Sequence, residues 1–259
     1  MKHVEKYLLT SIRREGSVHL SLLDPDRILP SEAAQRATAL EAAGTTAIMV
    51  GGSTVVSVPQ LDDVVKAVKD DVKVPVILFP NNITGISQFA DAIWFMSLLN
   101  SNNPLFMTGI QALGAPLVKR YGLETLSLGY IIVDSGSSAA YIGQARAFPR
   151  DKPEIVASYA LAAQYLGMHF VYLEAGSGAR EPVPVKMLSV VKDTIDVPLI
   201  VGGGIRNRCD AEAVVNAGAD IVVTGTIVEE KGSEEEMVEI IKGIRETGRK
   251  INVTDSESG

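Results

Sequence analysis

Short apolar runs that stop at glycine or proline alternate along this chain with longer stretches whose apolar residues recur at helical spacing. Residues 2 to 15 read as an amphipathic helix with Val4, Tyr7, Leu8 and Ile12 on one side, closed by Gly16. Val18 to Leu23 is a buried strand that runs into Asp24-Pro25-Asp26, and Ser31 to Ala43 is a helix ended by Gly44. The alternation continues with a strand over Ala47 to Val50, a helix over Gln60 to Asp70 and a strand over Val74 to Phe79. Ala92 to Leu98 is a fourth strand, followed by the cap signal Asn100-Ser101-Asn102-Asn103-Pro104 and a helix to about Arg120. Thr125 to Val133 and Phe170 to Leu173 are strands five and six, separated by a helix over Pro153 to Leu166. Residues 139 to 151 carry no clear period and suit a loop or lid over one face. A helix from Pro184 to Thr194 leads to the strand Pro198 to Val201, a helix from Arg206 to Ala217 and the strand Asp220 to Val223. A final amphipathic helix spans Ser233 to about Thr247, and the tail from about 254 to 259 is expected to be disordered.

Apolar runs without inner alternation belong to parallel strands covered on both faces, and strands that alternate with helices build βαβ units. The expected fold is therefore α/β: a single (β/α)8 TIM barrel over residues 1–259, with an N-terminal helix under it and one irregular or missing helix. EAAGTTAIMVGGS (41–53) and AVVNAGADIVVTGT (213–226) resemble one another, as do KVPVILFP (73–80) and DVPLIVGG (196–203), as expected of a barrel assembled from like modules. At 259 residues, with 46% hydrophobic and only 5% aromatic residues, size and composition agree. A net charge of -7 argues against nucleic acid as a partner, because no basic field is present to displace counterions. An anionic ligand must then be held locally, by backbone N–H groups or a metal. The one cysteine, Cys209, makes no internal disulfide and fits a reducing cytoplasm. No long uncharged run reads as a membrane span, and no basic amphipathic anchor is evident, so any membrane contact is expected to be transient.

Every strand of such a barrel ends on the same side, so the strand tips can be collected as one candidate site. Tips six, seven and eight carry Glu174-Ala175-Gly176-Ser177-Gly178, Gly203-Gly204 and Gly225-Thr226, which together read as a cup of N–H groups for a small phosphorylated molecule. Taken singly, Gly202-Gly203-Gly204 is equally a permissive turn. Across the mouth, Asp24 and the Ser53 hydroxyl offer hard oxygen ligands suited to Mg2+; the alternative for Asp24 is a turn aspartate before Pro25. Glu174 stands where a general base would stand, or is a strand-tip ion-pair partner. Asp134 is either a second acid or the cap of a Ser-rich loop. Phe79, Trp94 and Phe95 are core residues or the wall of an apolar groove, and His3, His19 and His169 show no ligand spacing.

LLDPD (22–26), GGS (51–53), LFP (78–80), YIIVDSGSSAAYIGQA (130–145), YLEAGSGA (172–179), VGGGIR (201–206) and TGT (224–226) together resemble the geranylgeranylglyceryl phosphate synthases. Bacterial relatives of that family are heptaprenylglyceryl phosphate synthases; the archaeal form is the better match, chiefly through 130–145. The resemblance implies a Mg2+-dependent prenyltransferase that joins geranylgeranyl diphosphate to the C3 hydroxyl of sn-glycerol 1-phosphate, forming the first ether bond of archaeal membrane lipids. By that likeness Asp24 and Ser53 bind Mg2+, while Tyr172, Leu173, Glu174, Ala175, Gly176, Ser177, Gly178, Gly203, Gly204, Gly225 and Thr226 bind glycerol phosphate. Glu174 is then the expected base, Phe79, Trp94 and Phe95 the expected prenyl groove, and a cytoplasmic homo-oligomer the expected form. Two other readings stay open: a metal-free sugar-phosphate isomerase or cyclase using Asp24 and Asp134, and a catalytically silent binding barrel.

Overall fold

The computed structural model describes residues 3–53, 57–133, 136–225 and 234–258, with the backbone alone at 234 and 254–258. Its strands are β1 Val18–Leu23, β2 Ala47–Val50, β3 Val76–Leu78, β4 Ala92–Leu98, β5 Glu124–Ile132, β6 Phe170–Glu174, β7 Leu199–Gly202 and β8 Ile221–Thr224. Each pairs in parallel with the next, and β8 closes on β1 through Val18↔Ile221 and Ser21↔Thr224. The helices are α1 His3–Glu15, α2 Pro30–Ala43, α3 Val58–Asp71, α4 Ile110–Tyr121, α5 Ser138–Ile142, α6 Pro153–Tyr165, α7 Val185–Lys192, α8 Arg208–Asn216 and α9 Glu234–Ser258. This is the (β/α)8 barrel that the alternation predicts.

Side chains of successive strand residues point to opposite faces, so each strand feeds two separate cores. Leu20, Met49, Ile77, Trp94, Leu128 and Phe170 fill the barrel interior. Their neighbours, such as Ile48, Leu78, Val171, Leu173, Val201 and Val222, pack outward beneath the helices. Helix α1 puts Val4 and Leu8 into the inner core, and so closes the end of the barrel where the strands begin. The Glu124 carboxylate, at the start of β5, accepts from the Val4 and Glu5 N–H groups at 2.9 and 2.8 Å and caps that helix.

The structure departs from the pattern in four places. Between β3 and β4 the connection is a 3-10 turn, Ile83–Gly85, in place of a helix, and this is where the expected irregular or missing helix falls. The helix after β4 opens with a π-helical turn, Leu105–Gly109, and carries Pro116 within α4. Residues 139–151, expected to form a loop or lid, contain α5 and are then stitched to the barrel. Asn100 Nδ2 donates to the carbonyls of Ile132 and Arg146 at 2.8 and 3.1 Å, and Ser101 bridges Ala145. The last helix runs to Ser258, past the end expected near Thr247 and through most of the tail expected to be disordered. Past Thr247 it is held against α1, where Arg249 pairs with Glu15 and the Asn252 amide donates to the Arg13 carbonyl at 3.1 Å. Among the described residues, no helix is long and apolar enough to cross a membrane.

Candidate functional site

A cavity of about 410 Å³ opens where the strands end. One end is lined by Ser177, Gly178, Gly203, Arg206 and Gly225; the middle by Tyr130, Tyr172 and Glu174, with Gly52 and Ser53 beside them. From there it runs over Phe79 into a trench walled by Ile86, Ile93, Phe106, Ile110, Gly114 and Val118. The trench lies in the space beside α4 where the third βα unit has only its 3-10 turn.

Glu174 is the last residue of β6, in register with Ile132 on one side and Gly202 on the other. It faces inward by the same alternation that puts Phe170 and Tyr172 inside. Its Oε1 accepts from the Gly176 N–H at 2.6 Å, and its Oε2 accepts from the Tyr130 hydroxyl at 3.3 Å. Burial pushes its pKa above the ordinary carboxylate value, with the Gly176 N–H and the Tyr172 and Tyr130 hydroxyls pulling the other way. Burial also raises both tyrosines well above their usual value, further helped by the facing Glu174, so both stay protonated as donors. Phe79 stacks on Tyr172 at 5.7 Å and meets Tyr130 edge-on at 5.7 Å, holding this trio on its apolar side.

The turn after β7 comes close to that carboxylate. Gly203 has φ +85°, and a Cβ there would stand 2.6 Å from Glu174 Oε1 and 2.7 Å from the Gly176 nitrogen. Only glycine lets the two strand tips approach in this way. The Arg206 guanidinium donates to the Ala179 carbonyl at 3.3 Å and brings a positive charge to the rim of the cup.

Asp24, just past β1, is half-buried next to Gly52, where a Cβ would stand 2.6 and 2.7 Å from its two carboxylate oxygens. Its Oδ1 accepts from the Asp26 N–H at 3.0 Å, while Arg27 approaches no closer than 3.6 Å. Burial raises its pKa, opposed by the Asp26 N–H and Arg27. Among the described residues, the carboxylate is therefore short of compensating charge. Among the described residues, no three His, Cys, Asp or Glu side chains converge as a metal cage.

The structure brings most of the sequence-derived residues to this mouth. Tyr172, Glu174, Ser177, Gly178, Gly203, Gly225 and Ser53 line the cavity, and Gly176 adjoins it through Glu174. Leu173 and Ala175 do not present their side chains to it: both pack outward against the helices, because they alternate with Tyr172 and Glu174. Gly204 backs onto the Glu181 carbonyl. Thr226 and Asp134 lie outside the described residues. Phe79, Trp94 and Phe95 all touch the cavity, but Trp94 is wholly buried in the inner core, edge-on to Phe170 at 5.2 Å, whereas Phe95 packs on the outer face of β4. The three do not form one wall. Sequence reasoning missed Tyr130, although its inward parity is fixed by Leu126 and Leu128, and missed α4 and Arg206, whose approach depends on the fold.

The PcrB family matches residues 10–245 of this chain. The geranylgeranylglyceryl phosphate synthase of Thermococcus kodakarensis is 53% identical over 246 residues, covering 93% of this chain and 97% of that protein. That of Thermofilum pendens is 53% identical over 244 residues, covering 94% and 95%. The crystal structure of (S)-3-O-geranylgeranylglyceryl phosphate synthase from Thermoplasma acidophilum, in complex with sn-glycerol-1-phosphate, superposes with a TM-score of 0.90 at 41% identity. That alignment covers 95% of this chain and 99% of the other. With a family match over most of its length and more than half of its aligned residues shared with named synthases, the chain belongs to the PcrB family, the family of the geranylgeranylglyceryl phosphate synthases.

Proposed function

We infer that this protein joins the prenyl chain of geranylgeranyl diphosphate to the C3 hydroxyl of sn-glycerol 1-phosphate, releasing diphosphate and forming geranylgeranylglyceryl phosphate. The observation that carries this reading, beside the family, is the continuity of one cavity from the glycine-lined cup, past Glu174, into an uncharged trench. The two ends suit two different molecules. A phosphate is held by N–H groups and Arg206 at one end, and an isoprenoid by apolar walls at the other.

In this reading the glycerol phosphate sits with its phosphate against Ser177, Gly178, Gly203 and Gly225 and its C3 hydroxyl toward Glu174. Fixing both substrates in one cavity replaces a chance encounter by an aligned one. The bond between the prenyl C1 and the diphosphate oxygen breaks, the C3 oxygen bonds to C1, and the hydroxyl proton passes to the Glu174 carboxylate. Tyr130 and Tyr172 keep that carboxylate in place, and with Phe79 they set an aromatic wall beside the reacting carbon. The trench walls keep water from the same carbon.

The fit of Mg2+ rests on Asp24. Asp24, a half-buried carboxylate with little compensating charge among the described residues, and the Ser53 hydroxyl after β2 would hold a hard cation such as Mg2+ through oxygen ligands. When bound, such an ion neutralises charge on the departing diphosphate. We take the enzyme to act as a homo-oligomer in the cytoplasm with no nucleic-acid partner; light scattering of the purified protein tests the first point.

Incubation with sn-glycerol 1-phosphate and an equimolar mixture of C15, C20, C25 and C35 prenyl diphosphates, with mass analysis of the product, tests the reading. The C20 ether is expected to dominate. A dominant C35 ether would assign the longer-chain synthase, and no ether with any donor would remove prenyl transfer altogether. Family membership argues against the isomerase and silent-barrel readings.

A further inference from the structure

The layer between sheet and helices is built mainly of aliphatic side chains, yet on the outer face of β1 it contains a polar cluster. His19 is fully buried there, with Nδ1 2.7 Å from Thr45 Oγ1 and Nε2 2.9 Å from Thr224 Oγ1. The Ser21 hydroxyl lies 3.3 Å from that of Thr45, and the Thr224 hydroxyl donates to the Sδ of Met237 on α9 at 3.9 Å. Burying an imidazole and three hydroxyls is costly unless each is partnered, and aliphatic residues could fill the same layer without that cost. What such a cluster adds is geometry. It ties three strands together by directional bonds: β1 through His19, the entry to β2 through Thr45, and the end of β8 through Thr224.

The third tie is at the site. Thr224 is the last residue of β8, and it lines the cavity together with Gly225. Its backbone position sets where the main chain leaves the barrel beside the anion cup. Burial lowers the His19 pKa to about 3, so the ring stays neutral at working pH, with one nitrogen donating and the other accepting.

We infer that His19 is a positioning residue for the anion cup, acting through the Thr224 hydroxyl to fix the tip of β8 and hence the main chain at Gly225. This rests on the cup being the glycerol phosphate site, and it adds a residue that touches neither substrate. The bond to Thr224 then contributes to glycerol phosphate affinity and not to binding of the prenyl donor, whose trench lies on the β3–β4 side of the mouth.

Thr224→Val is the primary test, because it removes the hydroxyl and keeps the branched shape. The KM for sn-glycerol 1-phosphate is expected to rise about fivefold, the size of one net hydrogen bond, with the KM for geranylgeranyl diphosphate unchanged. Calorimetric titration of the same variant with sn-glycerol 1-phosphate should show the same loss without turnover. His19→Leu should match Thr224→Val in these readouts, and His19→Gln, whose amide can reach Thr224, should recover part of the loss. If His19→Leu does not fold, Thr224→Val alone decides. A Thr224→Val protein with a lower Tm but unaltered glycerol phosphate affinity would overturn the proposal and leave the cluster as a clamp on the fold. Failure of the parent enzyme to form any ether would instead count against the function, and is read out before any variant is made.

Discussion

At the scale of single residues, Glu174 and Asp24 are two carboxylates with different surroundings. Glu174 is enclosed, with one N–H and two phenolic donors arranged around it, whereas Asp24 is half-buried against the main chain of Gly52 and accepts from the Asp26 N–H. Glu174→Gln keeps the shape and removes the base. It should retain sn-glycerol 1-phosphate binding by calorimetry while kcat falls by about 10²- to 10⁴-fold, the usual worth of general base catalysis. Undiminished kcat would take Glu174 out of the reaction. Because burial raises its pKa, the acid limb of kcat/KM should lie above the ordinary carboxylate range, activity growing as pH rises through that value and Glu174 ionises. Asp24→Asn should shift the Mg2+ concentration for half-maximal rate upward and raise the KM for the diphosphate substrate; a metal titration that overlays the parent's would refute that role. Both carboxylates are visible in the sequence as charges at strand tips. Tyr130, which donates to Glu174, is hidden there in an apolar run, because its partner is set by the β5–β6 register.

At the scale of elements, the trench depends on one helix that is absent and another that stands beside the gap. Residues 79–91 cross between β3 and β4 with only a 3-10 turn, and α4 supplies Ile110, Gly114 and Val118 to the opening this leaves. A Cβ on Gly114 would approach Ile86 Cδ1 to 3.2 Å, across the trench. Gly114→Leu should therefore narrow the trench, raising the KM for the C20 donor more than for a C10 donor and leaving the KM for sn-glycerol 1-phosphate unchanged. Equal effects on both donors would place the isoprenoid elsewhere. Trp94 is a poorer probe than its place in the sequence implies: it is wholly buried against Phe170, so truncation to alanine should cost about 3–5 kcal/mol of stability along with any change in chain length. Trp94 and Phe95 read as parts of one groove wall only when the two faces of the strand are not told apart.

At the scale of the whole molecule, the parallel closed sheet puts every strand end on one side, which is why residues from β1, β2, β6, β7 and β8 meet although they are far apart in sequence. The same closure buries His19 in a place where it cannot be protonated without loss. Its folded pKa of about 3 lies below the 6.5 of an unfolded histidine, so its contribution is complete above pH 6.5 and is lost as pH falls from there toward 3. The whole effect is on the order of 5 kcal/mol. Urea midpoints measured between pH 7 and pH 4 should fall more steeply for the parent protein than for His19→Gln, and parallel pH curves would exclude His19 as a source of acid sensitivity.

The alternation of apolar runs and amphipathic stretches determined the barrel, because parallel strands need covering on both faces and connecting helices provide it. It also located the site, because strand ends of such a barrel share a face, and Asp24, Glu174 and the glycine clusters stand at those ends. Tertiary structure decided which side chains of those ends point inward: the two-residue alternation turns Tyr172 and Glu174 into the cavity and Leu173 and Ala175 away from it. It also decided the trench, which no run of residues encodes, since it is the space left between a missing helix, the edge of β4 and one face of α4.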